Sequence, residues 1–348
     1  MDRDRRYWQM GMAVIAAALT MRLLGGVWDP LIKIFSKPEV VSFLLFMETG
    51  RVVRLSDISV SETRPEETIP KETFPTETLP QTPPSMPEVP LAVFEEGESE
   101  LVQVSNLCGY DPNLEQLLHR PLSWDLTAAE PAVLILHTHA TESYTQTQQE
   151  PYTESSLYRT LDPQHNMIRV GDRVAQVLAE YGIQAIHDRA LHDHPSYTGS
   201  YNHARQATEN YLEEHPGIRV ILDIHRDALD LNGPEQLCTR AEVDGNPSAQ
   251  IMMVVGTDAG GLYHPQWQEN MAFAVKLHAQ LEKRWPGICR PINFRTERFN
   301  QDLSPGALII EVGANGNTLE EALTAAEALA RGIADLAGGT VTAGSTSS

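Results

Sequence analysis

Between residues 132 and 336, short apolar runs alternate with segments of helical spacing, and this constrains the fold more than any other feature. The runs at 132–136, 183–186, 218–224, 251–255 and 307–312 have the length and aliphatic character of strands buried on both faces. Between them, 167–181 places Ile168, Val170, Val174, Val177 and Leu178 at helical intervals and stops at Gly182. Segments 201–214, 266–285 and 318–336 are read as three further helices. Strands that alternate with helices need crossover connections, so the spacing predicts an α/β domain around a largely parallel sheet.

The preceding third of the chain is of a different kind. Arg3, Arg5 and Arg6 stand before an apolar run that reaches Leu24 and is broken by Arg22. Basic residues ahead of such a run keep its start in the cytoplasm. The expectation is a membrane anchor over 1–28 with the remainder exported, cleavage near Ala16-Ala17-Ala18 and a buried helix of a soluble protein being the alternatives. A juxtamembrane segment at 29–60 leads into a linker at 61–100. There Glu67-Thr68-Ile69-Pro70, Glu72-Thr73-Phe74-Pro75 and Glu77-Thr78-Leu79-Pro80 repeat every five residues. Proline at that spacing removes backbone donors and the glutamates repel one another, so the linker is read as an extended stalk. The catalytic domain is placed at 101–340 and a tail at 341–348.

Charge narrows the function. The 348 residues carry 26 Lys and Arg against 47 Asp and Glu, a net −21, which argues against nucleic acid as a partner. Three cysteines without a CxxC pair make no disulfide scaffold and are expected to be buried structural residues.

In a parallel sheet, chemistry gathers where strands end. The first strand runs into His137-Thr138-His139-Ala140-Thr141-Glu142, the third into Asp223-Ile224-His225-Arg226-Asp227, and the fifth contains Glu311. Catalytic zinc takes three ligands from His, Glu and Asp and keeps a fourth position open. His139-x-x-Glu142 with His225 fits that pattern, and the spacing favours His139 over His137. Glu311 then remains as the carboxylate that moves a proton, with His137 and Asp223 orienting the ligands. The structural alternative for Glu311 is an ion pair with Arg295 or Arg298. His187, His192 and His194 are read as a polar loop rim and not as a second metal site.

These segments resemble the stage II sporulation protein P family. The resemblance rests on 136–144, on Arg169-Val170-Gly171-Asp172, and on His187-Asp188 with 195–201. It continues through 223–228, Asn300-Gln301-Asp302-Leu303-Ser304-Pro305 and Glu311-Val312-Gly313. It implies a three-layer α/β/α zinc amidase fold, shared with zinc carboxypeptidases. The implied activity is cleavage of the amide between N-acetylmuramic acid and L-alanine in peptidoglycan, with cleavage of peptide cross-links as an addition. It also implies His139, Glu142 and His225 as zinc ligands, Glu311 as catalytic carboxylate, and Arg226, Asn300, Gln301 and Asp302 along the substrate groove. Stage II sporulation proteins D and M are the implied partners, at the engulfing septal membrane. Peptidoglycan is anionic, so either Arg226, Arg295 and Arg298 offset the chain's negative charge locally or partners target the chain to it. A silent wall-binding module and a carboxypeptidase-like enzyme are the competing readings.

Overall fold

The computed structural model describes residues 92–124, 126, 130–231 and 237–337. The anchor, the juxtamembrane segment, most of the linker and the tail lie outside these residues, and no described helix is long and apolar enough to cross a membrane.

The elements follow in the order β1 (Val104–Asn106), α1 (Leu114–His119), β2 (Val133–Leu136), α2 (Met167–Glu180), β3 (Ala185–His187), α3 (Ser200–Glu214) and β4 (Val220–Asp227). Then come β5 (Arg240–Val243), β6 (Asn246–Ala249), β7 (Ile251–Val255), α4 (Trp267–Arg284), β8 (Ile292–Phe294), β9 (Gly306–Ala314) and α5 (Leu319–Leu336). Seven strands form one sheet in the order β1-β8-β7-β9-β4-β2-β3. Every pairing in it is parallel except β7 with β9. The expected mixed α/β architecture with a mostly parallel sheet is therefore present, and β5 and β6 make a separate hairpin that the apolar spacing does not predict.

Helices cover both faces, unequally. One face of the sheet, with Val133, Ile135, Leu222, Ile224, Leu308, Ile310 and Val312, packs under α1, α2, α4 and α5. The other face, with Leu134, Leu136, Ile221 and Ala307, packs under α3. Local chemistry starts these helices where they are needed. Asn166 caps α2 by accepting from the Ile168 N–H, and Thr318 and Glu321 close α5 with reciprocal capping bonds. Gly171 lets α2 lie against the sheet edge, because a Cβ there would stand 2.5 Å from His187 Nε2 and 2.6 Å from His137 Nε2.

The end of the predicted linker belongs to the folded body. Residues Glu98–Leu101 form a 3-10 turn, the Ala92 N–H donates to the Asp335 carbonyl at 2.8 Å, and Glu98 pairs with Lys283 at 2.6 Å. Apolar Ala92 and Phe94 pack on the core, which the proline pattern upstream does not foretell. All three cysteines are free and half-buried, not fully buried as expected.

Candidate active site

Alternation along the strands delivers the site. Leu222 and Ile224 of β4 enter the large core, so Asp223 and His225 take the opposite face. Ile310 and Val312 of β9 do the same, leaving Glu311 on the α3 side. Parallel register sets His225 beside Glu311, and Met252 of β7 flanks Glu311 on its other side. Leu136 registers with Asp223, after which the chain turns out through 137–142. Thr138 ties that turn down, its N–H and hydroxyl donating to the two Asp223 oxygens at 2.7 and 2.6 Å. The Tyr144 hydroxyl donates to the Val312 carbonyl at 2.8 Å, and Arg226 Nε to the Ser143 carbonyl at 3.0 Å. The loop carrying Glu142 is thus fastened to both β9 and β4.

Glu142 Oε2 lies 3.7 Å from His225 Nδ1, and Arg159 Nη2 donates to Glu142 Oε1 at 3.1 Å. The His139 ring stands perpendicular to that of His225, with centroids 5.2 Å apart. His225 Nε2 is 2.8 Å from Asp223 Oδ1, out of line for a hydrogen bond. His139 Nδ1 and Glu311 Oε2 are buried with no hydrogen-bond partner among the described residues. Arg295 pairs with Glu297 and Arg298 with Asp302, so neither forms the ion pair that would make Glu311 merely structural.

Burial sets the electrostatics. Burial pushes the Glu311 carboxyl up to about 8, and Glu142 adds to the rise. Burial opposes charge on Glu142 as well, yet Arg226 and His225 hold it well below the usual carboxylate range. Burial likewise works against a charged His225, but Asp223 and Glu142 raise it well above an ordinary histidine. His139 is lowered to about 4 by burial and the nearby His225.

Among the described residues, no group of three or more His, Cys, Asp or Glu side chains is gathered closely enough to cage a metal as it stands. In kind the donors fit zinc. His139 offers a neutral ring with an orphaned buried nitrogen, and Glu142 and His225 bring donor atoms to 3.7 Å.

The other expected residues divide. His137 uses both nitrogens, donating from Nδ1 to the Ile224 carbonyl at 2.9 Å and meeting His187 Nε2 at 2.9 Å, which leaves none for a ligand. Asp223 stands behind His225, 2.8 Å from its Nε2. Arg226 is corrected: it is 3% exposed, and its guanidinium serves the Ser143 and Tyr158 carbonyls, not a groove. Gln301 is buried and bonds the Gly256 N–H and the Val254 carbonyl, while Asp302 pairs with Arg205 and Asn300 donates to the Tyr201 carbonyl. These three brace the loop before β9 and do not line an open groove. Asn300 and Gln301 border a cavity of about 20 Å³, room for about one water. His192 bonds Asp188 at 2.8 Å and His187 meets Asp172 at 3.1 Å, in keeping with a polar rim. A groove of about 570 Å³ lies elsewhere, between the loop before α1 and the start of α4, and holds none of the candidates.

Sequence reading gave no role to Arg159 or Asp193, or to Tyr197 beyond its place in a matching segment. Arg159 joins Glu142 to buried Asp193, which also accepts from the Thr141 hydroxyl at 2.6 Å. Tyr197 stacks on His139 with centroids 4.4 Å apart. No local spacing signals these long-range contacts.

Fold and site define an α/β protein with a histidine and carboxylate cluster at the carboxyl ends of its central parallel strands. Residues 56–334 match the family model for stage II sporulation protein P (SpoIIP), and the chain belongs to that family. It is 28% identical over 259 residues to stage II sporulation protein P of Bacillus subtilis (strain 168). That match covers 71% of this chain and 60% of the relative, so the chain spans less than two thirds of that protein's length. Among solved structures, the N-acetylmuramoyl-L-alanine amidase AmiC2 of Nostoc punctiforme is 15% identical, with 59% of this chain and 97% of that one covered and a TM-score of 0.35. The CwlD amidase from Clostridioides difficile in complex with the GerS lipoprotein is 11% identical, with 58% and 96% covered and a TM-score of 0.36. At those scores the fold is read from the chain's own sheet.

Proposed function

We propose that the chain is a zinc-dependent hydrolase of peptidoglycan that cleaves the amide between N-acetylmuramic acid and the L-alanine of the stem peptide, in septal thinning and engulfment during sporulation. One observation carries the reading: Glu311 is a carboxylate held in a central strand, beside His225 and without an ion-pair partner among the described residues, with a proton affinity near neutral pH. A half-buried carboxylate with a buried, unpartnered oxygen is costly unless it has work to do. His139, Glu142 and His225 would hold the zinc, and the metal when bound lowers the pKa of water and polarises a carbonyl. Glu311 takes the proton of the attacking water and passes it to the departing alanine nitrogen. Asp223 and Arg159 keep His225 and Glu142 in place.

The basic and apolar N-terminus and the proline-repeated linker support a single-pass anchor with the catalytic domain outside the membrane, and membership of the family supports stage II sporulation proteins D and M as partners. The test is digestion of purified peptidoglycan by the zinc-supplemented chain, by Glu311→Gln and by His139→Ala, with products read by mass spectrometry. Stem peptides with a free L-alanine amine, absent from both variants, are the expected products. Cuts confined to the peptide would favour the carboxypeptidase-like reading, and undiminished cleavage by Glu311→Gln would overturn the mechanism.

A further inference from the structure

The wall of the site beside Glu311 is aromatic. Tyr201, in the first turn of α3, and Phe299 pack on Met252, Val254 and Ile309. Met252 is the β7 residue in register with Glu311, and Val254 is in register with Ile309, two residues earlier on the same face of β9. The Tyr201 ring is centred 6.0 Å from that of Phe299 and 5.7 Å from that of His139, to which it stands at 90°. Its backbone is held by the helix and by Asn300, whose side-chain amide donates to the Tyr201 carbonyl at 2.8 Å. The side chain is half-buried, and its hydroxyl has no hydrogen-bond partner among the described residues. That oxygen is not enclosed by protein, so it is open to whatever enters the site. Burial raises the pKa of the phenol, and the carboxylates of Asp223, Glu311 and Glu142 add to the rise, so the hydroxyl keeps its proton.

A tyrosine hydroxyl in a largely buried place ordinarily finds an acceptor. Tyr201 has three carboxylates in its neighbourhood and bonds to none of them. The nearby guanidiniums are already engaged, Arg159 by Glu142 and Asp193, Arg226 by the carbonyls of Ser143 and Tyr158. When water adds to an amide, the carbonyl oxygen takes up negative charge. A fixed donor aimed at that oxygen stabilises the transition state more than the ground state. Glu311 takes the proton of the attacking water, so the attacked carbonyl must come close to it, on the side where Tyr201 stands. We propose that Tyr201 is a catalytic residue whose hydroxyl donates a hydrogen bond to the carbonyl oxygen of the scissile amide. The phenol keeps its own proton throughout, and the proton of the water travels through Glu311 to the departing nitrogen.

This inference rests on the amidase reading above, so the test separates the two. Release of stem peptide from solubilised peptidoglycan is followed at steady state for the zinc-supplemented full chain, Tyr201→Phe and His139→Ala. Zinc affinity, by competition with a chromophoric chelator, and thermal unfolding are measured on the same samples. Tyr201→Phe keeps the ring and its packing and loses only the hydroxyl. The expected result is a kcat about 10² to 10³ lower in Tyr201→Phe, with KM, zinc affinity and unfolding temperature unchanged. Affinity for a phosphinate analogue of the scissile amide, whose charged oxygens imitate the attacked carbonyl, should fall by a similar factor. A kcat equal to that of wild type overturns the inference. So does a loss confined to KM, or one matched by a loss of zinc affinity or of stability. Wild type no more active than His139→Ala overturns the amidase reading and this inference with it.

Discussion

The two faces of the central sheet are built from the same strands and have opposite chemistry. On the face under α2, α4 and α5, alternate residues of β4 and β9 are Leu222, Ile224, Leu308, Ile310 and Val312. On the α3 face the intervening residues are Ile221, Asp223, His225, Ala307, Ile309 and Glu311. That second face is apolar toward the start of each strand and charged toward its end. The period of two in a strand lets one short segment supply a hydrophobic core and a polar site without either intruding on the other. Firm packing on one face holds the costly groups in place on the other.

Breaking each face separately tests that division. Glu311→Gln should lower turnover by about 10² to 10⁴, the contribution of a positioned proton acceptor, while denaturant unfolding shows no loss of stability. A large fall in stability would show that the carboxylate is structural after all. Its neighbour Ile310, buried on the other face, should behave inversely. Ile310→Ala should cost about 2–5 kcal/mol of unfolding free energy, with turnover per folded molecule kept.

A third variant concerns a charge buried on the packed face. Lys276 of α4 is fully buried, donating from Nζ to the Leu118 carbonyl, and burial lowers it to about 8. Between about pH 8 and the ordinary lysine value the unfolded chain binds a proton that the folded chain lacks. Stability contributed by this group therefore rises with pH across that window and is lower beneath it. Lys276→Met should raise stability at neutral pH by on the order of 1–3 kcal/mol, and the gain should shrink as pH climbs above 8. A gain independent of pH would mean that packing, not charge, is what changed. The smallest effect is expected at the start of α5, where Thr318→Ala removes half of the capping box. About 1 kcal/mol should be lost, with zinc affinity unaffected.

The long elements were legible because their patterns are repeated. Four helices with apolar stripes and five aliphatic runs appear near their expected places. β1 and β8, of three residues each, are too short to show a period. The β5 and β6 hairpin carried a usable signal in Asp244-Gly245, both at positive φ, the turn chemistry that two-residue hairpins favour. In the site, His139, Glu142, His225, Asp223 and Glu311 are brought to one edge as their positions after strands implied. Arg226 went wrong because a charge does not announce what it faces. The alternation in β4 could have corrected it, since Arg226 has the parity of Ile224 and not of His225. Arg159 and Tyr197 reach the site from 17 and 58 residues away from their partners Glu142 and His139, with no periodicity to reveal them.

One consequence follows from the place of Glu311 in the middle of the sheet. β9 is hydrogen-bonded to β4 on one side and to β7 on the other, so the amides from Ile309 to Val312 open to solvent exchange only when the sheet itself comes apart. Tyr197 sits on a connecting loop whose opening need not disturb any strand. Deuterium uptake should therefore be fast around Tyr197 and as slow as global unfolding at Glu311. On warming or in mild denaturant, the tyrosine contact with His139 would be the first part of the site to dissolve and the carboxylate the last.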